Sequence, residues 1–200
     1  MKNIAVFASG KGTNLQAIID NIAKGTLKVN LALVISDKQN AFALKRAKRA
    51  GIKALYLDPG KFSSRQAYER QICGYLKKDK VDLIVLAGFM RILSPFFVRR
   101  YKNRILNIHP SLLPAFKGGQ AIKDAYSYGV KVTGVTVHLV DEKVDHGPII
   151  EQRVVAVSGL ESVGELEAKI HKAEHEVYPE AIARIASRRF ILKGRRVVIR

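Results

Sequence analysis

Leu106-Asn107-Ile108-His109-Pro110-Ser111-Leu112-Leu113-Pro114 places polar chemistry where a buried strand is expected. The run from Arg104 to Ile108 reads as a strand of an α/β sheet. Residues two apart in a strand share a face, so Asn107 and His109 project together. Pro110 cannot donate to a sheet ladder and biases His109 to extended geometry. The strand therefore ends there, with its last side chains in the crevice beyond the sheet, where open α/β sheets bind ligands. An imidazole able to exchange a proton, beside an amide able to donate to a developing oxyanion, points to acyl-group chemistry.

Outward from this stretch, strands and helices alternate. Lys2 to Ala8 is an apolar strand, followed by the loop Ser9 to Asn14 and a helix carrying Leu15, Ile18, Ile19 and Ile22 at helical spacing. Thr13 and Gln16 have capping-box spacing, which starts that helix at Thr13. Val29 to Ser36 is a second strand, Ala41 to Ala50 a helix ended by Gly51, and Lys53 to Leu57 a third strand. Ser63 with Gln66 opens a helix whose inner face is Tyr68, Ile72, Tyr75 and Leu76, with Arg65 in its exposed first turn.

Asp82 to Ala87 is nearly all apolar, as a central parallel strand covered on both faces requires, and Ser94-Pro95 starts the next helix. A helix from about Ala121 to Tyr128 precedes a strand over Lys131 to Val140 and its antiparallel partner over Pro148 to Val157. A long helix begins near Ser158 or Ser162, each three residues before a glutamate, and Pro179 is expected to kink or restart it. Phe190 to Ile199 reads as a hairpin turning at Gly194. The expected class is α/β: a Rossmann-like open, mostly parallel twisted sheet with helices on both faces and antiparallel strands toward the carboxyl end.

Several residues have both a structural and a chemical reading. Gly10 and Gly12 suit a tight turn, or a backbone cradle for phosphate at a helix N-terminus; Asp37, at the end of the second strand, stands where a ribose would be held. The apolar loop Gly88-Phe89-Met90-Arg91-Ile92-Leu93 either packs under a neighbour or lines a pocket for a flat ligand. Asp145 either supports the turn before Gly147 or approaches His109, where a carboxylate within about 4–6 Å favours the charged imidazole. Glu174 lies on the apolar stripe of the last helix and needs a cation or donor, from the protein or from a ligand amine. His171 and His175 are one turn apart but lack the zinc-protease order.

With 48% hydrophobic residues, the 200-residue chain can bury one full core, which fits one domain. No apolar run approaches the roughly 20 residues that cross a bilayer, and no signal-peptide architecture precedes Lys2, so the expected location is the cytoplasm. The single cysteine, Cys73, sits in a helical pattern and is expected in the core. The net charge of +18 raises a nucleic-acid partner, yet the basic residues are scattered over helix faces and the tail (Arg188, Arg189, Lys193, Arg195, Arg196, Arg200) without stacking aromatics. A solvated surface, or a field that gathers anionic small molecules, accounts for the same charge.

Five ordered blocks resemble the folate-dependent glycinamide ribonucleotide formyltransferases of purine synthesis: Ala8 to Ile18, Leu86 to Leu93, Asn107 to Pro114, Thr136-Val137-His138 with Asp145 to Ile150, and Glu174 to Pro179. The resemblance runs nearly end to end. It implies one formyltransferase domain over 1–200, with a phosphate-binding half over 1–100 and a catalytic, folate-binding half over 101–200. By the same resemblance Gly12, Thr13 and Asn14 hold the ribose phosphate and Glu174 the glycinamide portion. Arg65, Met90, Arg91, Ile92, Leu93 and Asn107 hold the cosubstrate 10-formyltetrahydrofolate.

The mechanism it implies is direct attack of the amine on the formyl carbon. Asn107 and protonated His109 stabilise the tetrahedral oxyanion, Asp145 keeps His109 charged, and no metal takes part. The implied partners are these small molecules, without nucleic acid or membrane, and the implied state is a monomer or homodimer. The chain departs from the family pattern at Lys11, at Phe116 to Gln120 and at His171, so no role is carried over there.

Formyltetrahydrofolate deformylase shares the Asn, His and Asp set, but resembles this chain only after an additional amino-terminal regulatory domain. Methionyl-tRNA formyltransferase also shares the set, with a further RNA-binding domain for which 200 residues leave no room. A non-catalytic nucleotide- or RNA-binding module would explain the glycine loop and the charge while leaving Asn107, His109 and Asp145 without a purpose.

Overall fold

The computed structural model describes residues 1–187 and 190–199. Arg188, Arg189 and Arg200 of the basic tail lie outside the described residues. A seven-stranded sheet has the order β3-β2-β1-β4-β5-β6-β7. Its parallel part comprises β1 (Lys2–Phe7), β2 (Val29–Ser36), β3 (Ala54–Tyr56), β4 (Leu83–Leu86) and β5 (Ile105–His109). Beyond β5, β6 (Val132–Leu139) and β7 (Ile149–Ala156) run antiparallel to their neighbours. The sheet is the mostly parallel α/β arrangement read from the alternation of elements.

Strand side chains alternate between two cores because the pleat has a period of two. Ile4, Val6, Val85, Leu106 and Ile108 pack with α1 (Thr13–Ala23), α2 (Phe42–Arg49) and α6 (Val163–Ser187). Ala5, Phe7, Ile84, Leu86 and Ile105 pack on the other face with α3 (Arg65–Lys78) and α4 (Pro95–Arg100), and Cys73 is buried among them. Asn107 and His109 continue the face of Ile105 beyond that apolar layer. The strand order reverses between β1 and β4, and the crevice over their carboxyl ends is where such sheets take ligands.

Helix caps depart from expectation in two places, at α1 and α3, while α6 takes one of its two expected starts. The Thr13/Gln16 capping box does not form. Gly12, at φ 69°, precedes α1 with no side-chain cap, and Gln16 instead meets Asp20 at 2.8 Å and Arg46 at 2.9 Å. The cap of α3 is Ser64, one residue after Ser63, and accepts from the Ala67 amide at 3.1 Å. Helix α6 starts after Ser162, whose hydroxyl accepts from the Glu165 amide at 3.3 Å; Ser158 makes a separate turn with Glu161.

Nor does Pro179 restart α6, which is one helix of 25 residues. The neighbouring Tyr178 is fully buried and its hydroxyl donates to the Leu86 carbonyl at 2.8 Å and the Leu106 carbonyl at 3.3 Å, holding the helix on the sheet through that turn. A short α5 (Ala121–Tyr128) and a hairpin of β8 (Phe190–Lys193) and β9 (Arg196–Ile199) complete the described elements. No described helix is long and apolar enough to cross a membrane.

Candidate active site

At the carboxyl end of β5, four polar side chains meet. Asn107 lies opposite His138 of β6 in the antiparallel ladder, and its Nδ2 donates to His138 Nε2 at 3.2 Å. The His138 Nδ1 donates to the Leu139 carbonyl at 2.9 Å, which fixes the tautomer and leaves Nε2 as the acceptor Asn107 requires. Burial holds the His138 imidazole below the usual histidine range, against the opposing pull of the Leu139 carbonyl and Asp145.

His109 is 4% exposed. Its Nδ1 faces Asp145 Oδ2 at 3.4 Å, while its Nε2 donates to the Phe116 carbonyl at 2.8 Å. Asp145 Oδ1 is 3.8 Å from His138 Nε2, so one carboxylate faces both imidazoles.

Asp145 arrives from a tight connection between β6 and β7. Its own φ is 47°, and its Oδ2 accepts from the Gly118 amide at 2.8 Å. Of the two readings from the sequence, the approach to His109 is the one its carboxylate makes, and its hydrogen bond runs to Gly118 rather than to the turn before Gly147. Gly147 closes this connection because its backbone lies against the Leu139 carbonyl; a Cβ there would sit 1.8 Å from that oxygen. The segment after β5 is knotted onto β6 through Thr136, whose hydroxyl donates to the Ser111 carbonyl at 2.7 Å and accepts from the Leu113 amide at 3.0 Å.

The remaining candidates form two groups around this centre. Asn14 and His171 both donate to Glu174 Oε2, at 3.0 and 2.9 Å, so the buried carboxylate has protein donors on one oxygen. The hydrogen bond to Glu174 raises the His171 imidazole above its usual range. Gly12, Thr13 and Asn14 form the uncapped start of α1, whose first-turn amides have no side-chain acceptor. Asp37, read as a ribose holder, accepts from the Ser9 hydroxyl at 2.6 Å. Ser9 also accepts from the Met90 amide at 2.9 Å, so the glycine loop and the apolar loop are joined.

In the apolar loop, Met90 and Ile92 are exposed, while Phe89 and Leu93 pack into the core. Packing under a neighbour thus holds for Phe89 and Leu93, while the side chains of Met90 and Ile92 stand open to solvent. Arg65 reaches across from α3, donating to the Ile92 carbonyl and lying 3.5 Å from Glu69.

The family described as formyl transferase matches residues 2–182. The chain belongs to the formyl transferase family. This formyl transferase is 40% identical to the phosphoribosylglycinamide formyltransferase of Bacillus subtilis (strain 168) over 185 residues, 92% of this chain and 95% of that one. It is 45% identical over 184 residues to the trifunctional purine biosynthetic protein adenosine-3 of Gallus gallus, covering 92% of this chain and 18% of that longer protein. The solved structure of glycinamide ribonucleotide transformylase 1 from Symbiobacterium toebii matches with a TM-score of 0.96 and 47% identity, over 100% of this chain and 94% of that one.

Two parts of this formyl transferase's site received no role from sequence reasoning. His138 lies in a conspicuously apolar strand, and pairing β6 antiparallel to β5 would have set it against Asn107. The Phe116 to Gln120 loop offered no such signal. Its contacts to His109 and Asp145 are made by a backbone carbonyl and a backbone amide, which carry no side-chain identity.

Proposed function

We propose that this formyl transferase moves the formyl group of 10-formyltetrahydrofolate to the amine of phosphoribosylglycinamide in purine synthesis, using Asn107, His109 and Asp145. The observation that carries the reading is their convergence at the end of β5, with His109 Nδ1 3.4 Å from Asp145. Attack of the amine on the formyl carbon forms a C–N bond and converts the carbonyl oxygen to an oxyanion. Asn107 keeps a second N–H after donating to His138, and that hydrogen serves the oxyanion. His109 Nε2–H is engaged by the Phe116 carbonyl, so donation to the oxyanion requires the loop at Phe116 to release it.

Asp145 compensates the charge of the imidazolium. Collapse re-forms the carbonyl and breaks the bond to the folate nitrogen, which gains the proton that the attacking amine loses. In this reading Gly12, Thr13 and Asn14 hold the phosphate, and the free oxygen of Glu174 holds the glycinamide portion. Arg65, Met90, Arg91, Ile92 and Leu93 hold the folate. On this reading the phosphate contacts and the folate contacts of Arg65 and Met90 to Leu93 fall in residues 1–100, and Asn107, His109, Asp145 and Glu174 in 101–200, so folate binding is shared between the halves rather than confined to the second. The ligands are small molecules, and the protein works in the cytoplasm as a monomer or homodimer without nucleic acid.

The test is deformylation of 10-formyltetrahydrofolate by purified protein, with and without phosphoribosylglycinamide. Turnover that depends on the ribonucleotide, and is lost in a folded His109→Ala variant, is expected. Equal turnover without ribonucleotide would make the protein a hydrolase, and full activity in His109→Ala would remove that residue from the pathway.

A further inference from the structure

Three polar groups line up just beyond the carboxyl ends of three adjacent strands, β2, β1 and β4. Asp37 directly follows β2, Ser9 stands two residues after β1, and Met90 lies in the loop after β4. The Ser9 hydroxyl donates to Asp37 Oδ1 at 2.6 Å and accepts from the Met90 amide at 2.9 Å, while the Ser9 amide donates to the Gly88 carbonyl at 3.0 Å. Ser9 therefore holds both ends of the turn from Gly88 to Met90, in which Gly88 has φ 73°. Asp37 is 5% exposed, and among the described residues the Ser9 hydroxyl is the one hydrogen-bond donor its carboxylate meets. That burial leaves the carboxylate facing Ser9 rather than a ribose.

A buried carboxylate is costly unless a donor satisfies it, and a hydroxyl donating to an ionised acceptor makes a short, strong bond. Donation to Asp37 fixes the rotation of the Ser9 hydroxyl, leaves its lone pairs for the Met90 amide and strengthens it as an acceptor by polarisation. The other parts of the two loops have their own anchors. The Ala43 amide donates to the Gly10 carbonyl at 3.1 Å and Arg46 Nε to the Lys11 carbonyl at 2.9 Å, while Arg65 donates to the Ile92 carbonyl at the far end of the apolar loop. Removing the Ser9 hydroxyl would leave the Gly88 carbonyl bonded and Phe89 packed edge-on against Phe7, with ring centres 5.4 Å apart. The Met90 amide alone would lose its acceptor, and with it the direction of the chain into Arg91 and Ile92.

We propose that Ser9, oriented by Asp37, is a positioning residue for the folate cosubstrate, setting the segment from Met90 to Leu93 in its binding conformation from within the glycine loop. The proposal rests on placing the folate against Met90 to Leu93. Without the hydroxyl the folate itself must fix that segment, and the ordering cost falls on its binding. The experiment measures kcat and both KM values in Ser9→Ala, Asp37→Ala, Asp37→Asn and the Ser9→Ala/Asp37→Ala double variant. Ser9→Ala is expected to raise the folate KM about 5- to 10-fold, the worth of one such hydrogen bond, with kcat and the ribonucleotide KM within about two-fold of wild type. Asp37→Ala should do the same, and the double variant should be no worse than either single one, because both break one relay. Asp37→Asn, whose amide oxygen still accepts from Ser9, should return the folate KM toward wild type.

A purely structural role would lower Tm and leave the folate KM where it was, so an unmoved folate KM in folded Ser9→Ala overturns the proposal. So does an Asp37→Ala variant that raises the ribonucleotide KM instead, which would give the carboxylate to the ribose. If Asp37→Ala does not fold, Ser9→Ala decides alone. Ile92→Ala, at a side chain that stands open to solvent, separates the underlying placement. If it leaves the folate KM unchanged, the placement is wrong and the proposal falls with it; if it raises that KM while Ser9→Ala does not, the placement stands and only the relay is lost.

Discussion

Gly10 and Gly12 sit in one loop, and the same substitution at each should give opposite results. Gly12 has φ 69°, and a Cβ on it would lie 2.8 Å from both the Cα and the Cβ of Ala43. Gly10 would meet nothing within 4 Å and does not adopt a positive φ. For Gly12→Ala the left-handed conformation costs about 1–2 kcal/mol. The forced overlap with the α2 backbone adds roughly 1–3 kcal/mol, because Ala43 has no flexible end to move aside. The sum of about 2–5 kcal/mol corresponds to a Tm lowered by roughly 4–20 °C in a chain of this size. Gly10→Ala should be neutral or gain up to about 1 kcal/mol by restricting the unfolded chain.

Thermal unfolding followed by circular dichroism gives both numbers. Steady-state assays add a second expectation: Gly12→Ala raises KM for the ribonucleotide, because the open amides of α1 follow directly from that residue. A Gly12→Ala variant as stable as Gly10→Ala would refute the account of the loop.

Replacing His138 with leucine removes the acceptor that orients the Asn107 amide. Kcat should fall by roughly 10- to 100-fold, part of what a lost oxyanion donor costs, while both KM values change little; an unchanged kcat would sink the positioning argument. The two shifted histidines act oppositely on stability. His171, raised by Glu174, stabilises the fold below the usual histidine pKa and loses that contribution as pH rises through its folded value. His138, depressed by burial, destabilises the fold as pH falls below the usual value. Wild type should therefore exceed His171→Gln in Tm by more at acidic than at alkaline pH, and a pH-independent gap would contradict this. Arg195, at the β8–β9 turn, donates to the His146 carbonyl, and His146 Nδ1 meets Asp141 at 2.7 Å. Arg195→Ala should speed hydrogen exchange over residues 141–147 and nowhere else in the sheet; uniform protection would show that the hairpin does not brace the connection.

Much of this architecture was legible because it rests on periodicity. Apolar runs such as Leu83 to Leu86 can only be central strands, and the stop at His109-Pro110 follows from the chemistry of proline. Strand periodicity paired Asn107 with His109, but the choice of Asp145 as their partner, left open by the residues, came from the family resemblance, since no local pattern brings residue 145 to residue 109. What stayed hidden depends on register and on backbone. Ser63, three residues before Gln66, had the better spacing on paper, yet Ser64 caps α3, whose inner face packs through Tyr68, Ile72 and Leu76. Pro179 looked like a break because the gain from burying Tyr178 beside it cannot be seen in a helical pattern. Phe116 and Gly118 act through main-chain atoms.

The hydrogen bond from Asn14 to Glu174 closes across 160 positions of sequence, and with it the site spans nearly the whole chain. Such contacts form only after the intervening elements are in place, because loop closure must precede the reward for non-local pairing. Neither a nascent chain that has only the glycine loop nor a fragment that has only α6 can hold the buried carboxylate. Recovery of turnover should thus trail recovery of helical signal during refolding, and enzymatic activity becomes a reporter of the last step of assembly.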